Sequence, residues 1–333
     1  MDAHERNLSS VSTHVGLIVT ASERTSLDPS GYVIITPARD EAKYLPDTIK
    51  SVVAQTLRPA EWIIVDDGST DDTPAIVERA MVDHDWIRLV RAANRGERVV
   101  GAGVVKAFNA GLAVSARPET SFLCKLDADL VLPADYFERL LLRYFAADQR
   151  LGIAAGPIVE RVSGIVVRLR YEPEMVFGAA KCYRRACFDE IGGIESSIGW
   201  DGIDCYQAMR RGWHTGTIAD PALEILHLRR MGTSHKSILH GCARRGRGLR
   251  YNGAHPIWVV ASAAYRMLDR PYVIAGLCVL AGYLQATVAR MPRIPDPAFI
   301  TYLREWQLRK LRGIFRRRAM QSIDGPFTAT PTR

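Results

Sequence analysis

The sequence predicts an α/β protein: a doubly wound, mainly parallel, Rossmann-like sheet followed by a helical C-terminal extension. Short runs of β-branched and apolar residues, at 31–36, 61–65, 86–90 and 122–126, alternate with segments of helical periodicity. Such alternation is typical of right-handed strand–helix–strand units in a parallel sheet. Polar and acidic residues follow several of these runs, at the sheet edge where α/β proteins bind their ligands.

The helices between these strands have recognisable start signals. Pro46 stands close to the start of the first helix, which carries apolar residues on one face. Thr73 can cap the second helix, and Pro74 suits its first position. Small residues predict a third helix from about 103 to 116.

Further strands and one more helix are predicted in the second half of the same domain. Apolar runs indicate strands at 152–157, 164–167 and 222–227, and a helix is expected to follow 199–204. The chain is thereby divided into four predicted segments: a flexible leader at 1–30, the α/β domain at 31–232, a helical region at 233–318 and a tail at 319–333. The leader is polar and lacks the pattern of a secretory signal.

Composition and charge indicate a globular protein and argue against a nucleic-acid-binding one. The chain is 47% hydrophobic and 24% charged, as in globular proteins, and has a net charge of +8 from 44 basic and 36 acidic residues. The basic clusters at 244–247 and 316–318 border apolar runs instead of interleaving with aromatic residues, which argues against nucleic-acid binding. The six scattered cysteines have no zinc-type spacing, so reduced thiols in a cytosolic protein are expected.

Two common nucleotide-binding motifs are missing from the sequence. No Gly-x-Gly-x-x-Gly follows the first strand, which argues against a dinucleotide-binding dehydrogenase. No Gly-x-x-x-x-Gly-Lys-Ser/Thr occurs either, which argues against a P-loop enzyme.

The segment Asp127-Ala128-Asp129 ends the fourth predicted strand, in which Lys125 is the one charged residue. Two carboxylates so close together repel each other unless a cation or a shared proton intervenes. A hard divalent ion that bridges carboxylate and phosphate oxygens would remove this repulsion. The same pattern also occurs at ordinary strand ends and turns. Other parts of the sequence are therefore needed to distinguish a metal site from a strand end or turn.

Four motifs follow one another between residues 33 and 129. They are VIITPARDE at 33–41, IVDDGSTD at 64–71, NRG at 94–96 with AFNAG at 107–111, and LDAD at 126–129. In this order they resemble the family 2 glycosyltransferases. The resemblance implies a GT-A fold, a nucleotide-sugar donor, a divalent metal (Mg²⁺ or Mn²⁺) and inversion at the anomeric carbon.

The resemblance also implies which residues bind the donor. The nucleotide sugar is expected to contact residues after the first, second and fourth strands and on the third helix: Thr36, Pro37, Ala38, Arg39, Glu41, Asp66, Asp67, Lys106, Asp127 and Ala128. Asp66 or Asp67 can accept a hydrogen bond from a uracil ring N–H. Asp129 is expected to hold the metal, and Asp127 the ribose or the metal. Phe108 replaces an arginine frequent in the family, so Lys106, with Arg98, is the expected diphosphate partner.

Asp201 and Asp204 are the candidates for the catalytic base. The family carries an acidic pair here, at a helix start, whose carboxylate deprotonates the acceptor hydroxyl. A carboxylate near a helix N-terminus is stabilised as the anion, which a base requires. The sequence favours Asp201 but leaves Asp204 open, since Trp-Asp-Gly-Ile-Asp replaces the usual pair. His227 is a candidate third metal ligand, with Arg230 as a phosphate partner, or a plain polar residue at a strand end.

The C-terminal region contains an uncharged run at 272–289, between Arg270 and Arg290. Its length of 18 residues is near the short limit for a membrane-spanning helix, which needs about 20. A buried helical hairpin, an interfacial or re-entrant element and a true span remain open. The basic flanks and nearby aromatic residues favour the interfacial element. Residues 300–318 predict an amphipathic basic helix.

Together these features predict an inverting glycosyltransferase at the cytoplasmic face of the cell membrane, peripheral or monotopic. A sugar would pass from a nucleoside diphosphate, UDP being favoured, to a lipid-linked or polysaccharide acceptor in cell-surface polysaccharide synthesis. The alternative is a polyprenyl-phosphate glycosyltransferase, whose anionic acceptor needs no base. A nucleic-acid-binding protein and a sugar nucleotidyltransferase are alternatives from other classes; the latter should have a Gly-rich loop after the first strand, and PARDE is not one.

Overall fold

The structure is a computed structural model that describes residues 31–92, 102–162, 164–169, 172–229, 238–268 and 272–323. The side chains of residues 238 and 314–323 are not described. Several predictions lie outside the described residues: those on the leader 1–30, the motif at 94–96, Arg98, Arg230 and the end of the tail at 324–333.

The described residues form eleven strands. In chain order they are β1 (Tyr32–Ala38), β2 (Glu61–Asp66), β3 (Ile87–Arg91), β4 (Phe122–Leu126), β5 (Leu130–Val131), β6 (Leu151–Ala155), β7 (Ile158–Val162), β8 (Ile165–Arg168), β9 (Ala180–Arg184), β10 (His214–Thr217) and β11 (Ile225–His227). The last strand is shorter than predicted because Pro221–Leu223 forms a 3-10 turn, which Asp220 caps by accepting from the N–H of Ala222.

Ten helices accompany these strands in the described ranges. They are α1 (Leu45–Val53), α2 (Thr73–Asp83), α3 (Ala102–Ala113), α4 (Tyr136–Arg139), α5 (Arg185–Glu190), α6 (Trp200–Arg210), α7 (Ile238–Tyr251), α8 (Pro256–Arg266), α9 (Ile274–Val288) and α10 (Pro297–Ile323). A π-helical segment, Leu140–Phe145, continues α4 directly. Pro46 and Pro74 both lie at helix starts, as the sequence predicts.

The larger sheet has seven strands in the order β10–β6–β9–β4–β1–β2–β3. β1 lies parallel to β2 and β4, β2 to β3, and β10 to β6. β9 is antiparallel to both of its neighbours, and the sequence analysis assigned no strand there. The predicted α/β fold class is confirmed, with this one antiparallel strand inside an otherwise parallel sheet.

The core of the domain lies around β1, β2 and β4. Every residue of β2 and β4 is buried, and so are all of β1 except the half-buried Pro37. Helix α3 packs closely on β1 and β2 because Gly111 has no side chain. A Cβ at that position would come within 2.8 Å of the methyl groups of Ile35 and Val65.

A smaller sheet, in the order β5–β11–β7–β8, lies beyond the end of β4. β11 is antiparallel to β5 and parallel to β7. The pairing sets His227 opposite Leu130, so the imidazole lies next to the end of the Asp127-Ala128-Asp129 segment.

The C-terminal helices pack on the α/β domain through α10. Trp306 contacts Tyr206 of α6 and Trp258 of α8, with ring centroids 5.1 and 5.6 Å apart. Asp296 adds a salt bridge to Arg210 of α6. Within the described ranges, every helix is too short or too polar to cross a membrane.

Candidate active site

The loops after β1 and β2 are joined to each other at the carboxyl ends of these strands. Asp67 donates its backbone N–H to the carbonyl of Ala38 at 2.8 Å, and Glu41 donates its N–H to the hydroxyl of Thr73 at 2.8 Å. Asp40 adopts a left-handed conformation, with φ of 53°, and its carboxylate accepts from the N–H of Thr70 at 2.8 Å. These bonds form a fixed surface of loops above the two strands.

The predicted donor-binding residues of these loops differ in their exposure to solvent. Thr36 is fully buried, and its hydroxyl accepts from the indole N–H of Trp62 at 2.9 Å. Asp66 is buried and accepts from the backbone N–H of Ser69 at 2.9 Å, whereas Asp67 and Pro37 are half-buried. Ala38, Arg39 and Glu41 are buried. The Thr36 side chain therefore supports the sheet, and Asp67 and Pro37 are more open to a ligand.

The acidic segment after β4 is held from both sides. The N–H of Asp127 donates to the carbonyl of Ala179 at 2.8 Å. The buried hydroxyl of Thr48 donates to the carbonyl of Ala128 at 2.8 Å and accepts from the N–H of Leu130 at 3.1 Å. Helix α1, which carries Thr48, thus fixes the backbone on which Asp129 stands.

Asp129 lies among charged side chains that come from distant parts of the chain. Its carboxylate is 3.4 Å from Nε2 of His227 and 3.3 Å from Nε of Arg229. His227 Nδ1 lies 3.6 Å from the Glu160 carboxylate, and Arg229 also forms a salt bridge with Glu41. All five side chains are at least four-fifths buried. We call these residues, Glu41, Asp129, Glu160, His227 and Arg229, the Asp129 cluster.

The charges of the Asp129 cluster stabilise one another. Burial raises the pKa of the Asp129 carboxyl, but His227 and Arg229 more than offset it and hold that pKa below its ordinary value. Burial lowers the pKa of His227, yet the neighbouring Asp129 outweighs it, so the pKa of the imidazole is raised. Each of the two groups is therefore ionised more readily beside its partner than it would be alone.

The Asp129 cluster can hold a divalent ion only if a bound diphosphate supplies further ligands. Among the residues that the structure describes, no three His, Cys, Asp or Glu side chains are arranged to hold an ion by themselves. Asp129 and His227 supply one carboxylate and one imidazole, and the nitrogen next to Asp129 is Nε2. Nδ1, which is buried without a hydrogen-bond partner, faces Glu160 instead. Mg²⁺ is commonly held by one or two carboxylates together with the phosphate oxygens of a substrate. The donor set fits if a diphosphate completes the coordination.

Asp127 begins the same segment. Its side chain is 33% exposed and forms a salt bridge with Lys125, whose side chain is only 1% exposed. Lys125 also donates to the carbonyl of Gly178. The Asp127 carboxylate is therefore fixed at one oxygen and still reaches solvent.

Helix α6 sets its two aspartates in different environments. Gly199 precedes the helix with φ of 81°, a conformation that favours glycine. Asp201 lies in the first turn and is exposed. Gly178 packs against it, since a Cβ on that glycine would lie 3.0 Å from the Asp201 Cβ. Gly178 is the residue whose carbonyl binds Lys125, so Asp201 is adjacent to the Lys125–Asp127 pair.

Asp204 instead lies in a buried polar network. Its carboxylate accepts from Lys181 Nζ at 2.7 and 2.8 Å and from the Tyr183 hydroxyl at 2.6 Å. The side chains of Lys181 and Asp204 are 0% and 1% exposed. Burial lowers the pKa of the Lys181 ammonium, but Asp204, together with Cys205 and Asp201, outweighs burial and the pKa is raised. Lys181 also donates to the carbonyl of Asp201 at 2.7 Å, which ties the network to the start of α6.

Trp200 connects the two buried lysines. Lys125 and Lys181 face each other directly in the antiparallel β4–β9 pair. Like charges opposite each other destabilise a sheet. Here each ammonium has its own carboxylate, and both lie near the Trp200 indole, at 5.3 and 5.5 Å from its centroid.

Lys106, the predicted diphosphate partner, is exposed on α3. Sequence reasoning did not predict roles for Thr48, Glu160, Lys181 or Arg229. A signal was available for Lys181: a lysine between apolar residues predicts a buried ion pair when the segment is a strand. Thr48 and Glu160 gave no such signal, because their contacts depend on the pairing of distant elements.

The fold and the site define a class of protein: an α/β enzyme domain with acidic loops at the carboxyl ends of parallel strands. Residues 33–214 match the model of the family described as Glycosyl transferase family 2. The match covers more than half of the chain, so the protein belongs to this family and carries its glycosyltransferase domain.

Two curated relatives match parts of the chain. Glycosyltransferase GlyG of Streptococcus pneumoniae is 27% identical over 107 residues, which is 32% of this chain and 33% of GlyG. The poly-beta-1,6-N-acetyl-D-glucosamine synthase of Staphylococcus aureus is 25% identical over 143 residues, which is 42% of this chain and 32% of the synthase. The chain thus spans about a third of the length of these relatives.

One solved structure supports the fold. The mannosyltransferase PcManGT from Pyrobaculum calidifontis, in complex with GDP-Man and Mn²⁺, has a TM-score of 0.50 at 17% identity. The alignment covers 80% of this chain and 76% of the mannosyltransferase. Together with the family match it confirms the GT-A fold that the four sequence motifs predict.

Proposed function

We propose that the protein transfers a sugar from a nucleoside-diphosphate sugar to a hydroxyl acceptor with inversion at the anomeric carbon. The observation that carries the proposal is the position of Asp201. It is exposed at the start of α6 and adjacent, through Gly178 and Lys125, to Asp127. This position supports a role for Asp201 as a base next to the acidic segment that we expect to bind the donor diphosphate.

The donor would lie over the loops that follow β1, β2 and β4. Asp67 and Pro37 are open enough to contact the nucleoside, with a uracil base favoured by the resemblance. Asp129 and His227 would hold Mg²⁺ or Mn²⁺ together with oxygens of the donor diphosphate, and Asp127 would contact the ribose. Such an ion would neutralise charge on the departing diphosphate. Arg229 is ion-paired with Asp129 and could bind the same diphosphate, since a guanidinium binds phosphate oxygens in a bidentate manner.

Asp201 acts as the base in the proposed reaction. Its carboxylate takes the proton of the acceptor hydroxyl, and the acceptor oxygen attacks the anomeric carbon. The bond from that carbon to the diphosphate oxygen breaks, and the nucleoside diphosphate leaves on the opposite side. Asp204 is unsuited to this role, because its carboxylate is enclosed by Lys181 and Tyr183.

We further propose a lipid-linked or polysaccharide acceptor at the cytoplasmic face of the cell membrane. Support comes from the Staphylococcus aureus relative, which is named as a synthase of a polysaccharide. The basic charge of the C-terminal region is the second support, because the cytoplasmic leaflet is anionic.

The test is hydrolysis and transfer with a panel of nucleotide sugars, with and without Mn²⁺ or Mg²⁺. Asp201→Asn should lower transfer to a hydroxyl acceptor by about 100- to 10,000-fold, the usual contribution of a general base. Asp189→Asn, a change of the same kind on exposed α5, should leave transfer unchanged. An Asp201→Asn variant with most of its activity would refute the assigned base and favour the polyprenyl-phosphate alternative.

A further inference from the structure

Helices α8 and α9 form a hairpin, and one face of α9 packs on α7 and α8. Gly282 of α9 packs directly on the carbonyl of Ala243 in α7, and a Cβ there would overlap that oxygen. Gly276 of α9 packs in the same way on the carbonyl of Ala263 in α8. The buried positions of α9 are small or β-branched: Ala275, Gly276, Val279, Gly282 and Ala286. These small residues fix α9 closely against α7 and α8.

The far side of α9 is an uninterrupted apolar stripe. The exposed residues at positions i, i+3, i+7, i+10 and i+14 are Ile274, Leu277, Ala281, Leu284 and Val288. At 3.6 residues per turn they lie within an arc of about 80°. The four large side chains among them are between 50% and 84% exposed. A folded protein in water does not normally show such a stripe unless it binds something.

Helix α8 carries a second stripe of the same kind. Its exposed positions include Ile257, Val260 and Ala264, and Leu268 follows just after the helix. On α8 the exposed arc begins next to Met267, which contacts α9, and on α9 it lies in the same direction of rotation from Gly276, which contacts α8. In a hairpin, this arrangement puts the two stripes on the same side. They form one apolar surface, which we call the α8–α9 face.

The charges around the α8–α9 face are mostly positive. Residues 252–295 contain four arginines and one aspartate. Arg290 and Arg293 are exposed just beyond the end of α9. Tyr265 and Tyr272, both more than half exposed, lie near the turn of the hairpin. An apolar surface with a cationic border and tyrosines near one end complements the interface of an anionic bilayer.

We propose that the α8–α9 face binds the surface of a membrane that contains anionic phospholipids, and that its apolar side chains enter the headgroup boundary. The helices have 11 and 15 residues, so they extend about 17 and 23 Å and cannot cross a hydrocarbon layer of about 30 Å. The mode is therefore a helix pair lying in the interface. The inference rests on the proposed function, because an enzyme bound to the membrane surface would have access to a lipid-linked acceptor.

Vesicle sedimentation of the full-length chain tests the inference. The wild type should bind vesicles of phosphatidylcholine with about one third phosphatidylglycerol, and bind pure phosphatidylcholine far more weakly. Leu277→Glu with Leu284→Glu should lower binding to the anionic vesicles by at least about tenfold, because two carboxylates would enter the interface. Val82→Glu is the matched control, since Val82 is an 83% exposed valine on α2 and should not affect binding.

Three outcomes would overturn the inference. The first is a wild type that does not bind anionic vesicles. The second is a double variant that binds these vesicles as strongly as the wild type does. The third is self-association: a wild-type dimer in sedimentation equilibrium that the double variant converts to monomer, with no effect of lipid. Thermal unfolding checks that the double variant is folded. Hydrolysis of the donor in the absence of lipid separates the two proposals. The double variant should hydrolyse the donor as the wild type does. If the wild type fails to hydrolyse it, the proposed function is wrong, but membrane binding is not affected.

Discussion

The buried pair of Lys181 and Asp204 gives the sharpest prediction about stability. Lys181→Met keeps most of the volume of the side chain and removes its charge. The Asp204 carboxylate would stay buried with only the Tyr183 hydroxyl and the Cys205 N–H as donors. The Asp201 carbonyl would also lose the ammonium that binds it at 2.7 Å.

The expected cost follows from the burial of the pair. Removing one partner of a fully buried ion pair destabilises a protein by about 3–5 kcal/mol, because the other charge is left unpaired. That is a large share of the total free energy of unfolding, which is about 5–15 kcal/mol for native proteins. Lys310→Met is the matched control. Lys310 pairs with Glu174 at 2.6 Å, but their side chains are 27% and 37% exposed, so the loss should be at most about 1 kcal/mol.

Urea unfolding followed by circular dichroism measures the effect. Lys181→Met should lower the midpoint strongly without changing the slope, and Lys310→Met should change the midpoint little. Adding Asp204→Asn to Lys181→Met should restore a substantial part of the loss, because the unpaired charge is gone and the amide oxygen can still accept from Tyr183. A Lys181→Met variant as stable as the wild type, or a double variant less stable than the single one, would refute the reasoning.

Three further outcomes are expected. Thr48→Val removes a buried hydroxyl that donates to the Ala128 carbonyl at 2.8 Å. The free energy of unfolding in urea should fall by about 1–3 kcal/mol, and donor binding in calorimetry should weaken. Unchanged values would contradict the role of α1. Gly282→Ala should lower thermal stability by about 1–3 kcal/mol through the contact with Ala243, whereas Gly241→Ala, which has open space, should not; equal effects would contradict the close packing. Chelation of divalent ions should abolish donor hydrolysis and added Mn²⁺ should restore it, whereas activity that persists in chelator would contradict the role of Asp129.

The parallel part of the fold could be predicted because its signals are local. Strands β1, β2 and β4 are apolar runs of β-branched residues, and Pro46 and Pro74 mark helix starts within a few residues. Strand β9 could not be predicted in this way. It contains Lys181 and Arg184, and the partner that lets the lysine be buried is 23 residues away on another element.

The candidate site shows the same division between local and distant signals. The segment 127–129 is visible in the sequence because two carboxylates are one residue apart. The approach of His227 to Asp129 is not, since it depends on the pairing of β11 with β5. The sequence favours Asp201 but leaves Asp204 open, because Trp-Asp-Gly-Ile-Asp replaces the usual acidic pair and the register is ambiguous. Burial separates them: Asp201 is exposed and Asp204 is 3% exposed.

The family match ends at residue 214, but the folded unit continues well beyond it. The ring of Tyr206, one turn after the active-site end of α6, is covered by Phe299 and Trp306 of α10. A fragment cut at the end of the match would uncover this ring, and it would also lack His227. Expression of residues 33–214 alone would therefore yield an aggregation-prone product without His227, and a workable fragment has to extend past Leu311, which is buried on α10.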